Sequence, residues 1–436
     1  MRTHGWWTLI AGAVAGMLVW AGFILFGTLH GWWRPPLAPT GDARAFATAA
    51  VDELALKHRG NVVFVLIQAG KPVRQYSASV GQPVDGGTLF QVASSSKWIS
   101  AWGVMTLVQA GKLGLDKPVS AYLERWKLPE SAFGNDGVTV RRLLSHTAGL
   151  TDGLGYGGFP PGAAVQSLED SLTRAADASP KADGSVRVGL APGTEWRYSG
   201  GGYTLLQLLI EEVTGESFDS YMKRTVFQPL GMSRSTFIAG PDTPNLAAFY
   251  AADGTVATHY RFTSLAATSL YTSAHDMERF VAAHFQGPAG EPPGRGVLLP
   301  AALALMRVPH ASRFGVEIWG LGTMLYAPNG AGDFIVGHDG SNEPAINTAV
   351  RLDPANGDGI VILETGNRLL ATELAGKWVY WKTRTIDFLA FNMVATSMIR
   401  LILGGWVAIL LMAVFTLWRR RRLGRGNSLP ASSEPQ

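Results

Sequence analysis

Two residues one helical turn apart carry the clearest chemical signal in the chain. Ser94 and Lys97 lie at the start of a segment with helical spacing, so both side chains would share one face near a helix N-terminus. This arrangement suits an acyl-transfer nucleophile, because a lysine of lowered pKa can take the serine proton and the helix dipole favours an alkoxide. The S-x-x-K pattern alone is weak, since Ser220 and Lys223 repeat it within an ordinary amphipathic helix.

Three further sequence blocks follow this pair in order along the chain. They are residues 138–150 (VTVRRLLSHTAGL), residues 192–203 (PGTEWRYSGGGY) and residues 337–342 (GHDGSN). Together with S-x-x-K, these blocks resemble those of the serine hydrolases related to class C β-lactamases and penicillin-binding proteins, cousins of the class A enzymes with their S-x-x-K, S-D-N and K-T-G elements. The resemblance covers roughly residues 43–381 and implies a β-lactamase/transpeptidase-like fold.

The resemblance also implies a role for each matching residue. Ser94 would be the acylated nucleophile and Lys97 its proton partner. Tyr198 would pass a proton between Ser94, the leaving group and later the hydrolytic water. His338 replaces the lysine of a K-T-G strand and would supply electrostatic or hydrogen-bonding help across the site.

An oxyanion hole is implied at two backbone N–H groups, those of Ser94 and Ser341. Such a pair of donors contributes on the order of several kcal/mol of transition-state stabilisation. Gly340 and Gly200 complete the expected oxyanion and substrate-binding positions.

Two positions depart from the family pattern and favour hydrolysis of an ester or amide. Gly200 stands where β-lactamases and DD-peptidases have an asparagine whose amide contacts the substrate's acyl side chain. A histidine at position 338 is only partly charged near neutral pH, so its hold on a substrate carboxylate should be weaker than that of lysine. Two alternatives stay open: a β-lactamase or DD-peptidase acting on penicillins or peptidoglycan stems, and a non-turnover penicillin-binding or sensor protein.

Each of these residues, taken alone, also has a plain structural interpretation. A serine before a helix is usually an N-cap, a tyrosine such as Tyr198 is often half-buried core, and His338 could satisfy a backbone group. The ordered co-occurrence of the blocks favours the catalytic interpretation for all three. His146, within the LLSHTAGL block, is assigned to a structural turn that supports a helical lobe and is left out of the site.

Strand-like segments at both ends of the central region enclose a mostly helical middle. The predicted strands are residues 61–67, 73–80, 315–326, 333–336, 346–352 and 359–363, and the predicted helices include residues 43–56, 98–110, 203–213 and 369–381. This order predicts an α+β domain whose antiparallel sheet is built from N- and C-terminal strands, with a helical lobe inserted between them.

Two uncharged runs are long enough to cross a bilayer. Residues 6–29 form the first, which we interpret as an uncleaved anchor, and residues 401–418 form the second, which ends at Arg419–Arg422. Because arginine blocks mark cytoplasmic ends, both termini are predicted to be cytoplasmic and the central domain exported. We therefore expect a two-pass protein of a bacterial cytoplasmic (inner) membrane, with its catalytic domain on the periplasmic side.

Four regions follow from this division of the chain. They are an anchor at 1–36, the hydrolase domain at 37–385, a juxtamembrane segment and second span at 386–418, and a basic cytoplasmic tail at 419–436. The expected partners are a small-molecule or peptide acyl substrate and the lipid bilayer, and the sequence leaves the oligomeric state open.

Composition and missing motifs exclude several other classes. The chain has 436 residues and a net charge of +4, all of which is accounted for by the tail after Trp418, so nucleic acid is not an expected partner. The absence of cysteine excludes disulfides, thiolate zinc sites and cysteine nucleophiles. No H-E-x-x-H helix, phosphate-binding P-loop or G-x-S-x-G elbow occurs, and no cofactor or metal is expected.

Overall fold

The computed structural model describes residues 4–153, 155–180 and 182–426, so the last ten residues of the predicted basic tail lie outside the described chain. The described residues form two compact units, one within residues 36–383 and one from the terminal segments 4–35 and 384–426. Each unit is described by itself below.

The larger unit is built on an eight-stranded antiparallel sheet in the order β2-β1-β12-β11-β10-β9-β8-β7. Strands β3 and β6 form a separate pair, as do β4 and β5. The strands are β1 (Asn61–Gln68), β2 (Lys71–Ser79), β3 (Phe90–Gln91), β4 (Phe249–Tyr250), β5 (Val256–Ala257), β6 (Tyr271–Thr272), β7 (Ala311–Arg313), β8 (Val316–Trp319), β9 (Met324–Pro328), β10 (Phe334–Asn342), β11 (Ile346–Asp353) and β12 (Asp358–Thr365).

Helices pack against this sheet and form the lobe inserted between β3 and β7. In chain order, with α1 and α13 belonging to the terminal unit, they are α1 (His4–Leu29), α2 (Ala43–Lys57), α3 (Ser96–Gln109), α4 (Val140–Leu144), α5 (Leu168–Arg174), α6 (Gly200–Thr214), α7 (Phe218–Met222), α8 (Gln228–Leu230), α9 (Leu265–Thr268), α10 (Ala274–Ala282), α11 (Pro300–Arg307), α12 (Leu370–Thr383) and α13 (Phe388–Gly426). The core lies between the lobe and the sheet, where strands β1, β11 and β12 are buried along nearly their whole length.

The predicted fold class is confirmed, because the sheet joins the two ends of the domain. Strand β1 pairs with β12, so that Val62 lies opposite Glu364. The helical lobe enters between the N-terminal and C-terminal strands, as the order of the elements predicts.

Two strand predictions are wrong in their extent. The single strand predicted over residues 315–326 is a pair, β8 and β9, separated by a buried turn in which Leu321 is fully enclosed. The strand predicted over residues 333–336 is too short, because β10 runs from Phe334 to Asn342 and contains the whole GHDGSN block of residues 337–342.

The described part of the terminal unit consists of α1 and α13. Among the residues that the structure describes, two helices are long and apolar enough to cross a membrane, Trp6–Leu29 and Phe388–Arg422. Helix α13 starts earlier than the predicted uncharged run at Leu401, and its 39 residues measure about 58 Å at 1.5 Å per residue. The two helices exchange hydrogen bonds: the Trp20 indole donates to Leu401 O at 3.0 Å and the Trp406 indole to Met17 O at 2.9 Å.

Candidate active site

Ser94 lies in a tight turn between β3 and α3. A single 3₁₀ turn covers Ala93–Ser95, and Ala93 has a left-handed φ of 45°, an uncommon conformation for a residue with a side chain. Between Gln91 and Ser100 every residue except Ser94 is buried. The turn therefore presents the Ser94 side chain at the surface of an otherwise closed element.

The three consecutive serines have different partners. Ser95 Oγ donates to His338 O at 3.3 Å, and Ser96 Oγ donates to Ala93 O at 2.6 Å. The Ser96 hydroxyl thus binds the backbone of the turn, and the Ser95 hydroxyl joins the turn to β10. Ser94 Oγ instead faces the side chains of Lys97 and Tyr198.

Lys97 lies on the first turn of α3, as the S-x-x-K spacing predicts. Its Nζ donates to Ser94 Oγ at 3.2 Å and to Ala267 O, on α9, at 2.7 Å. The ammonium group also lies over the rings of Tyr198 and Tyr203, 4.9 Å and 5.6 Å from their centroids. Burial lowers the pKa of Lys97 to about 7, against a smaller opposing effect from Asp152, because an enclosed ammonium loses its hydration.

Tyr198 approaches the same oxygen from the other side. Its hydroxyl donates to Ser94 Oγ at 2.9 Å. Burial raises the pKa of Tyr198, and the hydrogen bond to Ser94 opposes that rise, so the phenol keeps its proton near neutral pH. Ser94, Lys97 and Tyr198 are brought together as the sequence predicts.

His338 lies on β10 and is fully buried, with its ring edge-to-face against Trp319 at 5.4 Å between centroids. Its Nδ1 lies 2.6 Å from Asp339 O, and because a carbonyl only accepts, Nδ1 carries the proton. Burial, followed by the positive charge of Lys97, lowers the pKa of His338 to about 3. The expectation of a partly charged histidine is therefore wrong: the imidazole is neutral at physiological pH, because it has no solvent to hydrate a charge.

Gly340 lets β10 approach the serine turn. A Cβ atom at this position would lie 2.1 Å from Val92 O and 3.1 Å from Ser95 N, which leaves room only for glycine. The next residue, Ser341, is exposed and pairs with Asn347 of β11.

Gly200 is the first residue of α6, directly after the N-cap Ser199. A Cβ atom on Gly200 would lie 3.0 Å from the ring of Tyr156, so this tyrosine takes up space beside the glycine. The Tyr156 hydroxyl is engaged with Thr204 at 2.8 Å.

The described residues contain no group of three or more histidine, aspartate or glutamate side chains arranged to hold a metal ion. Around Ser94, the serine oxygen lies between an amine and a phenol, an arrangement that can serve acyl transfer.

Comparison with known proteins identifies the relatives of this site. The sequence profile of the Beta-lactamase family matches residues 46–382, which include all the site residues described above. The chain belongs to the beta-lactamase family.

Two proteins with different names are similar to the chain. Esterase EstB of Burkholderia gladioli is 32% identical over 224 residues, which make up 47% of this chain and 55% of EstB. Penicillin-binding protein 4* of Bacillus subtilis (strain 168) is 31% identical over 199 residues, 42% of this chain and 39% of that protein. The chain thus matches about half the length of these two relatives or less.

A solved structure shares the fold of this beta-lactamase family member. The octameric penicillin-binding protein homologue from Pyrococcus abyssi superimposes with a TM-score of 0.61 at 23% identity, covering 81% of this chain and 77% of the other. Similarity at this level supports the fold, and serine hydrolase chemistry is the common property of the family.

Three residues that pack around the site were not predicted from the sequence to belong to it. His146 and Trp319 lie 4.4 Å and 5.8 Å from Tyr198 between ring centroids. Asp152 accepts hydrogen bonds from Ser199 Oγ and from Gly201 N. His146 belongs to a recognised block and Asp152 follows it closely, so proximity to that block was the available signal; Trp319 had none, because its strand is remote in sequence.

Proposed function

We propose that the chain is a membrane-tethered serine hydrolase that cleaves an ester or amide through an acyl-enzyme on Ser94. The observation that supports this most directly is the position of the Ser94 hydroxyl, 3.2 Å from Lys97 Nζ and 2.9 Å from the Tyr198 hydroxyl. One neighbour is an amine that can lose its charge near neutral pH, and the other is a protonated phenol. A base and an acid on one nucleophile are what acyl transfer requires.

In the acylation step, Ser94 Oγ forms a bond to the substrate carbonyl carbon while its proton passes to the neutral amine of Lys97. The resulting oxyanion accepts hydrogen bonds from the proposed donors, the backbone N–H groups of Ser94 and Ser341. When the intermediate collapses, the bond to the leaving group breaks, and that group takes a proton from the Tyr198 hydroxyl. Lys97 then returns its proton to Tyr198.

Deacylation runs the same path with water as the nucleophile. Water forms a bond to the acyl carbon, its proton passes through Tyr198 to Lys97, and Ser94 leaves as an alkoxide that is reprotonated from Lys97. The same two side chains thus serve as base and acid in both halves of the reaction.

The substrate is proposed to be uncharged near the scissile bond. His338 is neutral and gives no cation for a substrate carboxylate, while Gly200 supplies no side-chain amide. Both features, with the similarity to an esterase, favour an ester or amide. The similarity to a penicillin-binding protein keeps β-lactamase or DD-peptidase activity, and a non-turnover penicillin-binding or sensor role, as the competing proposals.

The membrane placement is part of the proposal. The two apolar helices and the Arg419–Arg422 block support a two-pass arrangement in a bacterial cytoplasmic membrane, with the hydrolase domain on the exported, periplasmic side and both termini in the cytoplasm. A reporter active only in the periplasm, fused after Gln436, should stay silent.

The proposed reaction can be tested on the full chain in detergent. The protein is incubated with p-nitrophenyl acetate or benzylpenicillin, and its intact mass is followed over time. We expect rapid ester turnover that Ser94→Ala abolishes, little penicillin adduct, and no effect of Ser220→Ala, which changes the second S-x-x-K serine. A long-lived penicillin adduct with negligible ester turnover would support the penicillin-binding alternative. Ester turnover that survives Ser94→Ala would refute the nucleophile assignment.

A further inference from the structure

His146 contacts the backbone on both sides of Tyr198. Its carbonyl oxygen accepts the N–H of Arg197 at 2.8 Å, and its ring Nδ1 accepts the N–H of Ser199 at 3.1 Å. One residue thus accepts hydrogen bonds from the backbone N–H groups of both neighbours of the tyrosine. A rotation or shift of the Tyr198 backbone would break at least one of these two bonds.

The ring of His146 also packs against the phenol itself. The two ring centroids are 4.4 Å apart with an angle of 34° between the planes, and Trp319 lies against both rings, 4.8 Å from the His146 centroid and 5.8 Å from the Tyr198 centroid. The Tyr198 ring therefore has an aromatic wall on the side where His146 lies, while its hydroxyl reaches Ser94.

The bonding pattern sets the protonation state of this histidine. A backbone N–H only donates, so Nδ1 must carry a lone pair and the ring proton must be on Nε2. Burial lowers the pKa of His146, and the nearby Lys97 and His338 lower it further. A neutral ring is therefore maintained, and it can accept from Ser199 across the physiological pH range.

The backbone of His146 adopts the left-handed conformation that these contacts need. Its φ is 58°, a region that most side chains avoid and that asparagine tolerates best after glycine. This unfavourable backbone conformation occurs at a residue whose carbonyl and ring both bind the Tyr198 segment. The strained backbone therefore agrees with a role of His146 in positioning that segment.

A carboxylate fixes the second end of the same segment. Asp152 accepts hydrogen bonds from Ser199 Oγ and, at 2.8 Å, from Gly201 N. Ser199 is therefore held through its backbone by His146 and through its side chain by Asp152, which leaves the intervening peptide little freedom.

We propose that His146 is a positioning residue, which holds the Tyr198 phenol against Ser94 by accepting the N–H groups of Arg197 and Ser199 and by packing against the ring. The inference rests on the proposed function, in which Tyr198 moves protons to and from Ser94. It assigns a histidine of the LLSHTAGL block to the proton-transfer geometry and not to support of the lobe alone.

The test measures how fast Ser94 is labelled by a fluorophosphonate, followed by intact mass on the full chain in detergent, so that no natural substrate is needed. His146→Phe keeps an aromatic ring but removes the Nδ1 acceptor, and should slow labelling by about 30- to 100-fold. His146→Asn restores an acceptor and suits the left-handed backbone, so it should lose only about threefold. Tyr198→Phe should slow labelling by a similar factor to His146→Phe.

A double-mutant cycle separates positioning from general destabilisation. If His146 acts through Tyr198, His146→Phe should have almost no further effect in a Tyr198→Phe background. The matched control is His259→Phe, because His259 is also a buried histidine that stacks on a tyrosine, Tyr271, and hydrogen-bonds its hydroxyl at 2.7 Å. This control should lower the unfolding temperature and leave the labelling rate unchanged.

Equal losses in both backgrounds, or no loss in the His146→Phe single variant, would overturn the proposal. Should His146→Phe fail to fold, the cycle is run with His146→Asn, whose threefold loss should likewise vanish without the Tyr198 hydroxyl. Failure of the proposed function would look different: p-nitrophenyl acetate hydrolysis would survive Ser94→Ala. Absence of labelling in the unmodified protein would overturn both.

Discussion

The Nζ atom of Lys97 lies 3.2 Å from Ser94 Oγ and 2.7 Å from the carbonyl oxygen of Ala267. The second contact comes from α9, in the inserted lobe, so the amine is fixed between two elements. The amine cannot turn away to solvent, so its pKa is determined by the residues that enclose it.

This enclosure predicts how the rate depends on pH. In the proposed mechanism the neutral amine takes the serine proton, so kcat/KM for p-nitrophenyl acetate should rise as pH rises through about 7, the pKa of buried Lys97. The titratable groups facing Lys97 are Asp152, His146, His338, Tyr198 and Tyr203; the two histidines are already neutral there and both phenols are still protonated. A stopped-flow pH profile measures the midpoint.

Lys97→Arg is the matched variant for that profile. Its guanidinium stays charged throughout the range and should lower the rate by about 10³-fold or more at every pH. A pH-independent rate between 5 and 9 in the unmodified protein would contradict the role of Lys97 as the base.

A buried ion pair lies behind the site, on the opposite face of β10 from His338. The Arg351 guanidinium is fully enclosed, 3.0 Å from Asp339 Oδ2 and 4.0 Å from the centroid of the Tyr326 ring. Asp339→Asn would leave the guanidinium without its carboxylate and should lower the free energy of unfolding by ~3 kcal/mol. Urea unfolding followed by tryptophan fluorescence would measure the loss.

A partly exposed pair provides the comparison. Arg307 and Asp333, 2.8 Å apart with side chains 19% and 28% exposed, should lose no more than ~1 kcal/mol on Asp333→Asn. Equal losses for the two aspartates would show that burial does not govern the energy of these pairs.

Glu364, whose carboxyl group is enclosed at the start of α12, should make the protein less stable as pH rises. Burial raises the pKa of Glu364 to about 8 from 4.5, because its side chain is fully enclosed and only partly hydrogen-bonded. Between these values the folded form retains a proton that the unfolded form has released, so the free energy of unfolding decreases as pH rises from about 4.5 to 8.

Glu364→Gln removes this linkage. The variant should unfold several degrees higher than the unmodified protein at pH 8 and show little difference at pH 4.5. Glu317→Gln, an exposed glutamate on β8, is the control and should not alter the pH dependence. Parallel pH curves for the unmodified and Glu364→Gln proteins would refute the assignment.

The pairing of α1 with α13 can be tested because the chain has no cysteine of its own. A Cβ atom on Gly16 would lie 3.9 Å from two methyl carbons of the Ile409 side chain, so cysteines at these two positions would face each other across the helix pair. Oxidation of Gly16→Cys/Ile409→Cys in membranes should covalently join the two helices. After cleavage at a protease site introduced between them, the fragments should stay joined until reduced.

Gly22→Cys with Ile409→Cys is the control pair. A Cβ atom on Gly22 has no neighbour within 4 Å, so these cysteines should not cross-link. Similar cross-linking of both pairs would mean that the helices do not keep this register in a bilayer.

Local pattern was sufficient for much of the fold. The spacing of apolar residues placed α2, α3, α6 and α12 to within three residues at each end, and β-branched runs placed β1, β11 and β12. The turn between β8 and β9 was not predicted, because its apolar residue Leu321, which is buried, continues the alternation of apolar and polar residues seen in the strands. The flanking Gly320 and Gly322 were the sequence signal that the strand ends there.

The candidate site was predicted less completely than the fold. Spacing alone placed Lys97 beside Ser94, since both lie on one turn, whereas Tyr198 and His338 needed the resemblance to a family. The charge of His338 could not be predicted, because a pKa depends on enclosure by residues from remote segments, here including Trp319. For the same reason His146 looked like part of a turn: its contact with Tyr198 joins residues that are 52 positions apart.

The pairing of β1 with β12 sets the order in which the domain can fold. Until residue 364 has been synthesised, Val62 has no partner on that side, and β1 and β2 form an isolated hairpin with an open, apolar edge. Pairing over about 300 residues of intervening chain is slow, and an open edge of this kind promotes aggregation. The hairpin must therefore be shielded while the rest of the chain emerges, and truncation before β12 should yield a product that is degraded, not a smaller stable domain.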